Sequence, residues 1–465
     1  MTARFMVSAA HKSSGKTTLS IGLCAALRER NLIVQPFKKG PDFIDPMWLS
    51  RASGRACRNL DFYLMGHEEI CETFEMHARD ADVALVEGNK GLYDGLHLDG
   101  SNSNAALAKL LNIPVVLVLD TRGTIRGVAP LLLGYQAFDK DIRIAGVILN
   151  QVGGERHESK LRAVIKEYTD IPVLGAVNHD PAMNIAERHL GLMPSNESEA
   201  AQEQIKVIAQ AIHRQVDLDQ LLAVTESGIG KAATPQAANP AAGKYRIGIA
   251  LDRAFGFYYA DDLDALKAGG AEIVPINTLQ DRHLPAKLDG LLIGGGFPEM
   301  FMPELEANTT LRQEIGQAID NGLPVYAECG GLMYLSRSMQ WKERPYQMVG
   351  AIPGDVHMHS KPVGRGYVRL RETGNGPWQE KPVDDIAAHE FHYSTLDNLP
   401  DDLVYAYEVK RGHGVDGKRD GIVYKNLLAS YTHLRSTRNF SWVKRFLSLV
   451  ARHASSQPSG RKHAA

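Results

Sequence analysis

The chain has 465 residues, of which 44% are hydrophobic and 23% are charged, and its formal net charge is −2. This length exceeds what a single compact core usually holds, so we expect two domains, and the balanced composition excludes a chain that is disordered throughout. The near-neutral charge lacks the basic surface of a nucleic-acid-binding protein and favours a small-molecule substrate.

Apolar segments alternate with helical segments through the first half of the chain. The strand-like segments are RFMVSAA (4–10), VALVEG (83–88), PVVLVLD (114–120), IRIAGVIL (142–149) and PVLGAV (172–177). This alternation predicts a parallel α/β sheet with crossover helices. The N-terminal residues enter the first strand directly, without an apolar targeting segment, and no apolar run reaches the ~18 to 20 residues that span a bilayer. We therefore expect a soluble protein with no membrane partner.

The first strand leads into a phosphate-binding loop, which reads HKSSGKTT (11–18). A helix N-terminus after such a loop offers free N–H groups and a positive dipole end to phosphate. Lys16 is expected to neutralise the β- and γ-phosphates of ATP and Thr17 to coordinate Mg²⁺, although Ala10 stands where the full motif has glycine. The predicted ATP-binding residues are Lys12, Ser14, Gly15, Lys16, Thr17, Thr18 and Asn150. Lys12 could instead be a solvated loop lysine, and Asn150, our candidate contact to the purine base, could be a cap.

Acidic residues follow two predicted strands. KKGPDFIDP (38–46) follows the second strand and Glu87 ends VALVEG. Ligands of open α/β sheets bind at the carboxyl edge of the strands, and Mg²⁺ prefers oxygen ligands. The predicted metal ligands are Thr17, Asp42 and Glu87, with Asp45 as an alternative to Asp42, and the predicted substrate or phosphoryl site contains Lys38, Asp42, Asp45 and Asp94. Ordinary turn and capping roles remain open for the three aspartates.

A second α/β pattern follows a linker. After a helical segment near 198–223, residues 225–243 are rich in Ala, Gly, Pro and Thr and predict a linker between domains at 1–224 and 244–453. The second domain has strand-like segments at YRIGIAL (245–251), EIVPI (272–276), LDGLLIGGG (288–296) and LPVYAECGG (323–331). Residues 454–465 are almost devoid of hydrophobic side chains and predict an unfolded tail.

Cys329 lies between an apolar strand and a helical segment, the arrangement of a nucleophile elbow. The following helix would lower the pKa of the thiol, because the helix N-terminus favours the thiolate. His433, in SYTH (430–433), is a candidate base for this thiol and a later acid for departing ammonia. Gly295, Gly296 and Gly330 are candidate backbone donors to an oxyanion, each worth roughly 10²–10³ in rate. Together these residues predict a glutaminase.

HEFHY (389–393) contains two imidazoles and a carboxylate. Metal binding is one interpretation, but the alternation of His389, Phe391 and Tyr393 is more typical of a strand edge near a substrate cleft. The cysteines are irregularly spaced, which predicts reduced thiols in a cytoplasmic protein rather than disulfides or a zinc site; they are Cys24, Cys57, Cys71 and Cys329.

Nine motifs resemble the cobyrinate a,c-diamide synthase family over nearly the whole chain. They are GKTT, FKKGPDFIDP, RNLD (58–61), VEGNKGLYDG, AGVILN, LGLMPSNE (190–197), GGGFPE (294–299), AECGGLMYL and SYTHL. The resemblance implies an N-terminal dethiobiotin-synthetase-like P-loop domain and a C-terminal class I glutamine amidotransferase domain of flavodoxin-like fold. It also implies amidation of the a and c acetate groups of a corrin-type tetrapyrrole, through acyl phosphates, with ATP, Mg²⁺ and glutamine. Cys329 is then the nucleophile and His433 the residue that raises its nucleophilicity.

The chain departs from the family's usual motifs at HKSS (11–14) and at Lys39, where the family usually shows GxGKTT and FKVGPDYIDP. Amidation of sirohaem or of a related sirohydrochlorin is therefore the alternative activity. Arg435 stands where many class I amidotransferases have the glutamate of a catalytic triad, so we expect a Cys–His dyad. A regulatory P-loop ATPase is the non-enzymatic alternative, but it explains only the first half of the chain. A homodimer is an assembly state compatible with the sequence.

Overall fold

The computed structural model describes residues 2–188, 191–198, 200–228, 230, 243–342 and 344–456. The chain divides into two compact units, Met1–Gln236 and Ala237–Ala465. Within the described residues, no helix has both the length and the apolar character required to cross a bilayer.

The first unit alternates strands and helices along most of its length. Its elements are β1 (Ala3–Ala9), α1 (Lys16–Glu29), β2 (Val34–Lys39), α2 (Ile44–Ser53), β3 (Arg58–Leu60), α3 (His67–Ala78), β4 (Val83–Glu87), α4 (Asn104–Leu110), β5 (Val115–Asp120), α5 (Val128–Phe138), β6 (Ile144–Val152), α6 (Glu155–Tyr168), β7 (Val173–Asn178), a 3₁₀ turn (Pro181–Met183), the two-residue strands β8 (Glu187–Arg188) and β9 (Gly191–Leu192), α7 (Ala201–Gln215) and α8 (Leu218–Val224). All five strands predicted from apolar segments in this half are present, with boundaries displaced by at most three residues.

Strands β1 to β7 of the first unit form one parallel sheet in the order β3-β2-β4-β1-β5-β6-β7. Every residue of β1, β2 and β4 is buried, because helices cover both faces of a parallel sheet and leave no solvated side. Since β2, β4 and β1 are adjacent and parallel, the chain segments that follow them meet at one edge. That edge carries the phosphate loop, Lys38 and Glu87.

The predicted linker begins too early. Thr225 is fully buried, its carbonyl accepts from Arg4 N at 3.1 Å, and Ser227 N donates to Thr2 O at 3.0 Å. Residues 225–227 therefore belong to the first unit, because their backbone groups bond to the residues around the start of β1. Residues 229 and 231–242 of the predicted linker lie outside the described residues.

The second unit mixes parallel and antiparallel strands. Its elements are β10 (Tyr245–Ala250), β11 (Phe255–Phe257), α9 (Ala260–Ala268), β12 (Ala271–Ile276), β13 (Gly290–Ile293), β14 (Gly295–Gly296), a 3₁₀ turn (Pro298–Met300), α10 (Met302–Ala307), α11 (Thr309–Asp320), β15 (Val325–Glu328), α12 (Gly330–Leu335), β16 (Ser336–Gln340), β17 (Pro345–Gln347), β18 (Ile352–Met358), β19 (Gly364–Glu372), β20 (Ile386–His392), β21 (Ser394–Asp397), β22 (Val404–Arg411), β23 (Arg419–Tyr424), β24 (Leu427–Ser430) and α13 (Trp442–Ser456). This confirms the second α/β domain.

Nine of these strands form a sheet in the order β12-β10-β13-β15-β24-β23-β22-β19-β20. The first five are parallel neighbours and the last four continue the sheet antiparallel. Glu328 at the end of β15 is in register with Ser430 at the end of β24. The residues that follow these two strands, Cys329 and the segment leading to His433, are thus brought to the same edge of the sheet.

The last helix extends further than the sequence predicted. α13 includes residues 454–456, which the sequence analysis assigned to an unfolded tail, and Ala454 packs against the core formed by Phe446 and its neighbours. The apolar face of this helix is therefore one turn longer than the composition of the tail suggests. Residues 457–465 of the predicted tail lie outside the described residues.

Candidate functional site

The phosphate loop of the first unit connects β1 to α1. Gly15, directly before the helix, has φ +86°, and a methyl group placed on it would lie 2.2 Å from Asn150 Nδ2. Asn150 is buried in β6 and its amide donates to Ser14 O at 2.9 Å. The structure therefore brings Asn150 together with the loop as predicted. The contact it shows for this side chain is to the loop backbone, so a contact to a purine base stays a prediction.

Thr17 and two acids that follow neighbouring strands meet in the structure. Thr17 Oγ1 donates to Glu87 Oε1 at 2.6 Å and approaches Asp45 Oδ2 at 3.3 Å. Asp42 instead caps the start of α2, since its Oδ1 accepts from the N–H groups of Ile44 and Asp45. Of the two aspartates left open by the sequence, Asp45 is the one that contacts the threonine.

Lys38 is the cation at the centre of this acidic group. Its Nζ lies 2.5 Å from Asp45 Oδ2, 3.0 Å from Glu87 Oε1 and 3.8 Å from Asp42 Oδ2. Burial alone would lower the pKa of Lys38, but the charges of Asp45 and Glu87 raise it well above its ordinary value. Burial, reinforced by Asp45, raises the pKa of Asp42 to about 7. Lys38 therefore carries a fixed positive charge, whereas Asp42 can exchange a proton near neutral pH.

Lys16 is mostly buried at the first residue of α1. Burial lowers the pKa of Lys16, while Glu87, Asp45 and Asp94 oppose that effect. Asp94 also accepts from Gly91 N at 3.0 Å, which is the turn role that the sequence left open. Lys12 and Ser13 are exposed, so direct phosphate binding by Lys12 stays a prediction.

The oxygens at this edge are of the type that Mg²⁺ binds. Glu87 is fully buried, and its Oε2 atom has no hydrogen-bond partner. Among the residues that the structure describes, no group of three or more His, Cys, Asp and Glu side chains is arranged to hold a metal. Mg²⁺ commonly binds through one or two protein oxygens together with nucleotide phosphates and water. The Thr17 hydroxyl and the free Glu87 oxygen match that mode of binding.

The second unit places Cys329 on a strained turn between β15 and α12. Its φ is +48° and its ψ is −103°, and its N–H donates to Ser430 O at 2.7 Å. Gly331 makes this turn fit, because a methyl group on it would lie 2.0 Å from Ile293 O. A non-glycine residue held at positive φ at such a junction is typical of a nucleophile elbow. The predicted elbow is present.

His433 is buried beside Cys329. Burial alone would lower the pKa of His433, but hydrogen bonds and charge interactions with Cys329 and Glu328 raise it to about 10. A protonated imidazole next to a sulfur atom stabilises the thiolate, which is the attacking form of cysteine. The structure thus joins the two residues that the sequence paired across a long separation.

Glu328 is a third site residue, and sequence reasoning missed it. Its Oε2 lies 3.3 Å from His433 Nδ1, and its Oε1 accepts from Leu434 N at 2.8 Å and from the Tyr326 hydroxyl at 2.5 Å. The expectation of a bare Cys–His dyad is therefore incomplete, because a carboxylate reaches the imidazole from β15. A glutamate in the otherwise apolar segment PVYAE was the signal, since buried acids require partners.

The three glycines predicted to supply oxyanion donors lie close to these side chains. A methyl group on Gly295 would lie 2.6 Å from His433 Cε1, and one on Gly330 would lie 3.1 Å from Gly296 N. The backbone of β14 and the start of α12 therefore approach each other beside the imidazole. This proximity is compatible with backbone N–H groups facing a substrate carbonyl, and the assignment of individual donors stays a prediction.

The first four residues of HEFHY lie in the edge strand β20, as the alternation predicted, and Tyr393 directly follows it. His389 stacks on His433 with ring centroids 4.9 Å apart, and the two backbones exchange hydrogen bonds. Burial and the neighbouring His433 hold the pKa of His389 well below its ordinary value, so its ring is neutral. Because no His, Cys, Asp and Glu group suited to a metal occurs in the described part of the chain, the metal interpretation receives no support here.

The four cysteines are free thiols in the structure. Cys24 and Cys57 are buried, and burial raises the pKa of both. Cys329 is the cysteine that lies beside His433.

Two family models match the chain, one in each unit. Residues 6–192 match a CobQ/CobB/MinD/ParA nucleotide binding domain, and residues 246–439 match a CobB/CobQ-like glutamine amidotransferase domain. Among curated relatives, a cobyrinate a,c-diamide synthase of Magnetococcus marinus is 47% identical over 95% of both chains. That of Methanosarcina barkeri is 40% identical over 93% of this chain and 92% of its own, and that of Listeria monocytogenes is 36% identical over 97% and 100%.

Proposed function

Since the chain belongs to the cobyrinate a,c-diamide synthase family, we propose that it amidates the a and c acetate carboxylates of a cobyrinate-type tetrapyrrole. The enzyme is an ATP-dependent glutamine amidotransferase, a carbon–nitrogen ligase. The observation that carries the assignment of residues is the meeting of Cys329, His433 and Glu328 in one unit and of Lys16, Thr17 and Glu87 in the other.

In the first unit, the substrate carboxylate attacks the γ-phosphorus of ATP, the bond to the β,γ-bridging oxygen breaks, and ADP leaves an acyl phosphate behind. Lys16 neutralises charge on the transferring group from the start of α1, and the N–H groups of the loop bind the phosphates. Lys38 orients Asp45 and Glu87 through its ion pairs. Binding and charge neutralisation, rather than covalent help, are what this unit supplies.

Mg²⁺ would be held by the Thr17 hydroxyl and Glu87, with Asp42 or Asp45 as further candidates. When bound, the ion neutralises developing charge on the phosphate oxygens. Asp42, whose pKa is raised to about 7, would bind a cation only after it loses its proton.

In the second unit, His433 takes the thiol proton of Cys329 and the thiolate attacks the side-chain amide carbon of glutamine. The tetrahedral oxyanion would be met by N–H groups among Gly295, Gly296 and Gly330. His433 returns the proton to the departing nitrogen, ammonia leaves, and water releases glutamate from the thioester. Ammonia then displaces phosphate from the acyl phosphate and gives the amide.

The test uses Cys329→Ala and Lys16→Ala, with glutamine or ammonium as the nitrogen source. We expect Cys329→Ala to abolish glutamine-dependent amidation while ammonium still supports it, and Lys16→Ala to abolish both. Cys71→Ala and Lys166→Ala, outside these two groups of residues, are matched controls that should leave both activities unchanged. Full glutamine-dependent activity in Cys329→Ala would refute the nucleophile assignment.

A panel of tetrapyrrole acids, with ATP consumption and product mass measured for each, tests the macrocycle. Cobyrinate should be turned over with two amide nitrogens added. Sirohaem amidation is the alternative outcome, and the names of the relatives give it no separate support. The regulatory ATPase alternative accounts for the nucleotide-binding match but not for the amidotransferase match. We also propose a cytoplasmic location, and sedimentation would test whether the enzyme is a homodimer.

A further inference from the structure

The position that carries the triad glutamate in many class I amidotransferases is occupied here by Arg435. Its guanidinium donates to Asp261 Oδ2 at 2.8 Å and lies 5.0 Å from the centre of the Tyr259 ring. Asp261 and Tyr259 flank the start of α9, so this arginine joins elements of the fold. The acid that contacts His433 comes from a different element, the end of β15.

Glu328 is fixed by donors on both of its oxygens. Oε1 receives the Tyr326 hydroxyl and the Leu434 N–H, and Oε2 faces His433 Nδ1. Burial raises the pKa of Tyr326 well above its ordinary value, so this phenol stays protonated and donates. Leu434 directly follows His433, so Glu328 holds both the backbone and the ring of the histidine segment. Only 9% of the Glu328 side chain is exposed, and only 4% of that of His433.

We propose that Glu328 is the positioning residue of the glutaminase: it accepts a hydrogen bond from the Nδ1–H of His433, directs Nε2 to the Cys329 thiol and stabilises the imidazolium. This role rests on the proposed function of Cys329 and His433. The proton that leaves the thiol goes to Nε2 and then to the departing ammonia, so the step balances without any other reactant.

The charges around His433 favour this assignment. Glu328 faces it from the end of β15, Cys329 from the turn that follows, and the neutral His389 stacks on it from β20. Arg435, further along the same segment, adds to the lowering of the pKa of His389, so the ring that stacks on His433 carries no charge. Since burial acts against the imidazolium, the raised pKa of His433 depends on its interactions with Cys329 and Glu328.

The experiment measures kcat and kcat/KM of the full chain for glutamine hydrolysis across pH in Glu328→Gln. We expect kcat to fall about 10- to 100-fold with little change in KM, as for loss of a group that orients a general base. The alkaline limb of kcat/KM should move to lower pH, because the neutral amide no longer favours the imidazolium. Glu328→Asp keeps the carboxylate but moves it away by one methylene. Its kcat and its alkaline limb should lie between those of the native enzyme and those of Glu328→Gln.

Glu390→Gln is the matched control, because Glu390 is equally buried in the same unit and accepts from His413 N and Gly414 N rather than from His433. It should leave the pH profile unchanged, and ammonium-dependent amidation should persist in every variant. A profile and kcat for Glu328→Gln equal to those of the native enzyme would overturn the proposal. If that variant does not fold, native behaviour of Glu328→Asp would overturn it. Glutamine hydrolysis by Cys329→Ala would instead refute the proposed function.

Discussion

Replacing Lys38 by methionine removes the one cation that contacts Asp45 and Glu87 among the ion pairs described for the first unit. The Lys38 side chain is 4% exposed, Glu87 is not exposed, and Asp45 is 16% exposed, so solvent cannot replace the lost partner. Removing one partner of a buried ion pair typically costs about 3–5 kcal/mol, because the remaining charge stays buried and unpaired. We expect the free energy of unfolding of this unit to fall by that amount.

Calorimetry of the full chain measures the effect. For a unit of 236 residues, each kcal/mol corresponds to about 2–4 °C in Tm, so the transition should fall by about 6–20 °C. The unfolding transition of the first unit is identified as the one whose Tm rises when ATP is added. Lys39→Met is the matched control: this neighbouring lysine has a 3.3 Å contact to Asn89 Oδ1, and burial lowers its pKa to about 8, so its removal should matter far less.

The Tm deficit of Lys38→Met should also depend on pH, in a direction that the structure fixes. The deficit of Lys38→Met should shrink as the pH falls from 8 to 5, because Asp42, whose pKa is about 7 in the native protein, and Glu87, whose pKa burial also raises, can then be buried as neutral acids. A Tm within about 2 °C of the native value at pH 8 would refute the reasoning. A deficit that grows as the pH falls would refute it as well.

Three further predictions follow from single contacts. Gly15→Ala places a methyl group 2.2 Å from Asn150 Nδ2 at φ +86°, so ATP affinity measured by calorimetric titration should fall at least about tenfold, and native affinity would contradict this. Gly331→Ala directs a methyl group at Ile293 O, 2.0 Å away, and should abolish glutamine hydrolysis while ammonium-dependent amidation survives. Hydrolysis at the native rate would show that the turn at Cys329 tolerates the methyl group. Burial raises the pKa of Asp262 to about 8, above its unfolded value of about 3.9, so the folded state binds the extra proton and this group's contribution to stability is lost as the pH rises from 4 to 8. Asp262→Asn should weaken the pH dependence of the Tm of the second unit between pH 4 and 8, measured by calorimetry of the full chain. An unchanged pH dependence would show that another group causes the loss of stability.

The sequence was sufficient where function depends on local order along the chain. A strand, a GKTT loop and a helix follow one another within 29 residues, so the phosphate loop could be placed without knowing the sheet order. Cys329 was recognisable for the same reason, because the elbow is a strand-to-helix junction. Asp45 and Asp42 could not be ranked as metal ligands from the sequence, since their distances from Thr17 depend on how α2 packs against the sheet.

Other features depended on pairing between distant segments. Glu328 looked like the end of a buried strand, and its contact with His433 follows only from the parallel pairing of β15 with β24. The antiparallel half of the second sheet was also missed, because a strand such as β19 alternates charged and apolar residues over VRLRE and lacks a continuous apolar segment. The pairing of Thr225 and Ser227 with residues beside β1 was hidden by a composition typical of linkers.

The parallel neighbours β15 and β24 have a consequence for synthesis of the protein. Glu328 and His433 are 105 residues apart, so a chain growing on the ribosome presents the cysteine long before the strand that positions its base has been translated. Closing so long a loop is among the slower events of folding. We therefore expect that a half-made chain does not split glutamine, and the nucleotide-binding unit has been translated in full by the time the thiol acquires its proposed partner.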